Sequence, residues 1–168
     1  MFKTFLSGLI ISAALTTGAS ALDASKYQSL VAQTIAGLSA DTVDVAQLMA
    51  FQQDLVDMGV EGARAYAVEA PEHAELMNFV ADHAPEMIAM SLDAIEYAWH
   101  DGEALEEIGV SPDDLDHFGP VVSHMDAIIH PATAMIALRE FEATGNRAHL
   151  VQVKDELSEV VAHLSHLN

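Results

Sequence analysis

Hydrophobic positions recur at helical rather than strand spacing along almost the whole chain. From Asp23 to Leu38, Tyr27, Leu30, Val31, Thr34, Ile35 and Leu38 share one stripe, and Ser39-Ala40-Asp41 reads as a turn bearing the next N-cap. A second helix is expected from Thr42 to Met58, with Val45, Leu48, Met49, Gln52, Leu55 and Val56 inward and Gly59 as its stop. A third covers Val60 to Ala70, weakened by Gly62. Pro71 opens another stretch to His83, and Pro85 interrupts or restarts it. The stripe Ile88, Leu92, Ile95, Trp99 then runs on to Asp101-Gly102.

Between Gly102 and Gly119 the pattern gives way to acids, with Ser111-Pro112 as a turn or helix start. Pro120 opens a long helix bearing Val121, Met125, Ile128, Ile129, Ala132, Met135 and Ile136, in which Pro131 predicts a kink or a split. In the last helix Leu150, Val153, Leu157, Val160, Leu164 and Leu167 are spaced 3, 4, 3, 4, 3, the a/d seam of a bundle helix. The expected fold is all-α, an up-and-down bundle of four to five helices with Pro-kinked helices, formed by residues 22–168 as a single domain.

Composition narrows the function classes. Half the residues are hydrophobic, too many for an unfolded chain, whereas 26 acids against 6 bases give a net charge of −20. Such a surface repels nucleic acid and anionic lipid. With no cysteine there are no disulfides, no covalently attached haem, no thiolate metal site and no thiol nucleophile. Met1-Phe2-Lys3, the apolar run Phe5 to Leu15 and Ala19-Ser20-Ala21 have the three-part order of a secretory signal peptide over residues 1–21. Thr16, Thr17 and Gly18 cut that run short of a membrane span, and no later segment reads as one. The expected location is periplasmic or secreted.

The remaining chemistry is histidine, nine of them, with eight methionines. On the helix from Pro71 to Met90, His73, Met77, His83 and Met87 share a face and could offer imidazole and thioether to copper; the alternative is ordinary core filling. A second group, His100, His117 and His124, lies beside Asp101, Asp113, Asp114 and Asp116, a mixed donor set suited to Zn(II), Cu(II), Ni(II) or Fe(II). His130 falls opposite its helix's apolar stripe, and His163 and His166 fall off the terminal seam, so all three are expected in solvent. Acid-x-x-x-His pairs occur at Glu69/His73, Glu96/His100, Asp126/His130 and Glu159/His163. Such a pair can chelate or orient a ligand, or be a surface pair of about 0.2–0.5 kcal/mol.

Glu-x-x-His, His-Glu-x-x-His, P-loop and G-x-S-x-G motifs are absent, and the acids between 101 and 116 lack the EF-hand order. The stretch Leu76 to Ser91, LMNFVADHAPEMIAMS, partly resembles a segment of secreted ferritin-like helical proteins through Met77, His83, Ile88 and Met90. It departs at Ala84, where that segment carries its second histidine, and at the position of Pro85. The reading is of an exported helical bundle that binds a transition metal, Cu or Zn, as carrier, buffer or sensor, with no nucleophile–base pair to indicate an enzyme. The alternatives are a metal-free interaction module, docking or homodimerising through the heptad seam, and a bundle binding b-type haem or another small ligand through His73, Met77, His83 and Met87.

Overall fold

The computed structural model describes residues 22–117 and 119–164; the signal peptide expected over residues 1–21, His166 and Leu167 lie outside them. These residues form an all-α bundle without a strand. The helices are α1 (Ala24–Leu38), α2 (Val45–Glu69), α3 (Ala74–Ala89), α4 (Leu92–Ile95), α5 (Pro120–Thr144) and α6 (Ala148–Leu164). α4 continues into one π turn, Glu96–His100, and 3-10 turns span Pro71–His73, Glu103–Ile108 and Pro112–Asp114. Carboxylates cap two of the helix starts. Asp23 accepts from the Lys26 N–H at 3.0 Å and Asp44, rather than Asp41, from the Gln47 N–H at 3.1 Å.

α5 is the axis, packing against α2, α3 and α6, while α1 lies on α2 and α6. One apolar cluster joins α3 and the π turn to α5 through Met77, Met87, Trp99, Ile128 and Ile136. The other joins α1, α2 and α6 to α5 through Tyr27, Leu48, Leu138 and Leu157. The terminal seam, Leu150, Val153, Leu157, Val160 and Leu164, is buried in this second cluster, so it closes the chain's own core. α5 is also long and apolar enough to cross a membrane, contrary to the expectation that no segment after the leader pattern reads as a span, but nearly all of that stretch is covered by protein.

Two expected boundaries move for physical reasons. Gly59 does not stop a helix: α2 runs straight through it to Glu69. A Cβ there would stand 2.4 Å from the Ala127 carbonyl oxygen of α5, so the glycine is the point where two helix backbones touch. Pro85 does not break α3 either. The break comes at Met90-Ser91, where the Arg139 guanidinium donates to the Ile88 carbonyl, and to that of Met90 at 2.8 Å. Ser91 then caps α4.

Pro131 lies within a continuous α5 and lacks the N–H that would bond the Ala127 carbonyl one turn earlier. That carbonyl accepts instead from the buried Tyr27 hydroxyl at 2.9 Å. Three helices thus meet on one peptide group. Gly59→Ala should gain about 1 kcal/mol of helix propensity and lose about 1–3 kcal/mol to overpacking. A fall in the urea midpoint with an unchanged slope is therefore expected; a rise would show that α2 and α5 do not touch there.

Candidate metal centre

Within the apolar α5, Ser123, Asp126, His130 and Thr133 recur at spacings of 3, 4 and 3, forming one buried polar stripe. It faces α6 and the π turn. Ser123 Oγ donates to the Gly119 and His163 carbonyls, at 3.0 and 3.1 Å. Asp126 contacts Nδ1 of His163, and His130 Nδ1 is 2.8 Å from Glu156 Oε2. Thr133 gives its hydroxyl hydrogen to the Ile129 carbonyl at 3.0 Å, so its oxygen accepts from His100 Nε2–H at 2.9 Å.

The π turn delivers His100. Its widened ring closes through Asp101 N–H to the Glu96 carbonyl at 2.8 Å, with Trp99 buried in the core and His100 turned to α5. Gly102 follows with φ of 84°, and a Cβ there would stand 2.2 Å from Pro112 Cγ. Only glycine lets the acidic segment fold back over the π turn.

Two groups of metal-ligand atoms result, each lying within 4.8 Å of one another: His100, His130 and Glu156, and Asp126, His130 and His163. The side chains of His130, Glu156, His163 and Asp126 are only 5%, 11%, 11% and 13% exposed. His100, Asp126, His130 and His163 border a cavity of about 450 Å³, whose wall also includes Trp99, Leu105, Pro112, Leu115, Met125 and Ile129. Glu159 and His117 also line it, both at exposed positions.

Electrostatics favour positive charge here. Burial works against protonation of His130, but the Glu156 hydrogen bond and the charges of Asp126, Glu156 and Glu159 outweigh it and raise its pKa above the ordinary value. His124 shows the converse. Its pKa is lowered, chiefly by burial, with only partial opposition from the Pro120 hydrogen bond and Glu69.

Of the histidines proposed beside the acidic loop, His100 belongs to a ligand group, and His117 stands at the cavity edge with its ring centroid 4.8 Å from that of His163. His124 is elsewhere: Nδ1–H donates to the Pro120 carbonyl at 2.7 Å and its ring stacks on Tyr66. Asp113, Asp114 and Asp116 are exposed, and none belongs to a ligand group among the described residues.

On the other proposed face, Met77 and Met87 are wholly buried in the apolar core. His73 stacks on Tyr66, while His83 donates to the Phe79 carbonyl at 2.7 Å and packs against Phe79 and Trp99. The expectation of solvent around His130 and His163 is corrected: both are buried, because α6 covers the side of α5 that the apolar stripe leaves open. Glu156 is in none of the expected ligand groups, and Asp126 enters only through its pair with His130. The available signal was the Asp126/His130 pair inside an otherwise apolar run.

Comparison with protein-family models, with curated proteins and with solved structures finds no match to the chain.

The His130 pKa carries a sign that can be measured. A value raised by folding contributes stability that is complete below the unfolded pKa of about 6.5 and is lost as pH rises through the folded value. The unfolding free energy of the metal-free protein, less that of His130→Gln, should therefore shrink between pH 6 and pH 8 in urea titrations. Growth over that range would contradict the charge assignment.

Proposed function

We propose that the protein binds a transition-metal ion, Zn(II) or Cu(II), at the centre formed by His100, Asp126, His130, Glu156 and His163. The observation that carries this is the convergence of two imidazole–carboxylate groups on His130, deep between α5, α6 and the π turn. Mixed nitrogen and oxygen donors suit borderline divalent ions rather than Cu(I), which favours the thioether donors of the face bearing Met77 and Met87. The centre opens on one side to the cavity, which supports an exchangeable ion and a carrier or buffer role. The leader pattern of residues 1–21 supports the further proposal that this binding takes place outside the cytoplasm.

The test is metal retention by the untagged protein after loading with Zn(II) and exhaustive dialysis. At least one zinc per chain is expected, with less in Asp126→Asn/His163→Gln and an unchanged amount in His73→Ala/His83→Ala. An empty wild-type protein would overturn the reading. Binding needs neutral imidazoles, and the raised His130 pKa lets protons compete from above pH of about 6.5. Zinc affinity should therefore fall about tenfold or more between pH 7.5 and pH 6.0 in chelator competition.

A further inference from the structure

We propose that the centre holds two metal ions, one on each ring nitrogen of His130, which bridges them. The inference rests on the metal-binding reading above and adds a second ion to it. The two nitrogens of an imidazole point away from each other, and here each meets its own carboxylate. Nδ1 is 2.8 Å from Glu156 Oε2, and Nε2 is 3.9 Å from Asp126 Oδ1. Each carboxylate brings its own further imidazole: His100 Nε2 is 3.8 Å from Glu156 Oε2, and His163 Nδ1 contacts Asp126. The result is two donor sets of one composition, each a carboxylate and two imidazole nitrogens, sharing only His130.

A single ion could use one set, with the other left as a buried carboxylate beside imidazole donors. Glu156 would then only orient His130 through Nδ1–H, as carboxylates commonly do behind a ligating histidine. Three features favour a second ion over that arrangement. His100 is carried into the Glu156 set by a π turn, a rare local geometry frequent at functional sites, which the orienting role does not need. Glu156 is almost as buried as His130, so a cation beside it relieves a desolvated charge. Two divalent ions are also balanced by Asp126, Glu156, a deprotonated His130 and Glu159 on the cavity wall.

Proton bookkeeping is simple. The second ion displaces the Nδ1 proton of His130 to water, leaving a lone pair on each ring nitrogen. His100 moves its proton from Nε2 to Nδ1 and turns its Nε2 lone pair from Thr133 to its ion, and His163 moves the Nδ1 proton that meets Asp126 to Nε2, freeing Nδ1 for the other ion, with no net release from either ring. His117 and the cavity face the Asp126 side, where solvent or a small ligand completes coordination.

Zinc content and copper spin counting decide the matter. The wild-type protein should retain two Zn(II) per chain, and Glu156→Gln one. Loaded with Cu(II), the wild type should give an integrated paramagnetic signal well below two spins at low temperature, because the bridge couples the coppers. Glu156→Gln, with an unchanged far-UV spectrum, should give one full isolated copper. One zinc per chain in both proteins, or two coppers with two full isolated signals, would overturn the bridged pair while leaving the metal-binding reading intact. Wild-type protein that retains no metal would remove both.

Discussion

Asp126 and His130 are carried by a helix that has protein on every side, and this placement governs the rest of the architecture. Desolvating an ionised side chain costs several kcal/mol, against a net folding free energy of about 5–15 kcal/mol for a domain. Partners are therefore obligatory, and α6 and the π turn supply them as His163, Glu156 and His100. These partners also set register. The Leu/Val seam of α6 looks alike at every heptad, so apolar packing alone leaves room for a slip by one repeat. Asp126 meets His163 and His130 meets Glu156, so the pairs run antiparallel across the two helices. A slip would strand two carboxylates at once.

The backbone under this stripe is held just as firmly. Pro131 frees the Ala127 carbonyl, Tyr27 occupies it, and Gly59 brings α2 into contact with the same atom. Burial, with the nearby Asp126 charge, pushes the Tyr27 phenol well above its ordinary pKa, so it stays a neutral donor wherever the fold persists. Ala127 follows Asp126 directly, and a ligand whose main chain is clamped from two neighbouring helices keeps its aim. A feature that reads as a helix defect is thus a fixing point beside the centre.

Much of this was legible along the chain, and what was not has a common cause. Periodicity located the helices because each buries one stripe or more, and the α6 seam matched the core residue for residue through Leu164. Three of the four acid-x-x-x-His pairs hold a histidine of the centre: His100, His130 and His163. The fourth, ending at His73, does not. A helical wheel reports the angle of a side chain about its own axis and nothing about what lies beyond. His130 was placed in solvent because it opposes the apolar stripe, an inference that holds for a surface helix and fails for a central one. His124 was drawn toward a site by its acidic neighbours, but Tyr66 and the Pro120 carbonyl satisfy it where it stands. Gly59 read as a stop because its use, contact with α5, is a property of two helices.

The donor chemistry and the surface charge act at different ranges in the proposed role. A net charge of −20 draws cations of every kind toward the molecule and keeps anions away, with little discrimination among metals. Discrimination falls to the buried donors. Imidazole and carboxylate bind Cu(II) more strongly than Zn(II) by the usual order of divalent ions, so affinity alone selects copper wherever it is free. The protein can modify that order only through geometry, by fixing the backbone that carries Asp126 and His130 while one side of the centre faces a cavity of mixed polar and apolar lining. Zn(II) has no geometric preference of its own and accepts whatever angles the helices impose, whereas Cu(II) favours a tetragonal arrangement. At the proposed site, an axis helix clamped at Ala127 would bear on metal choice as well as on stability.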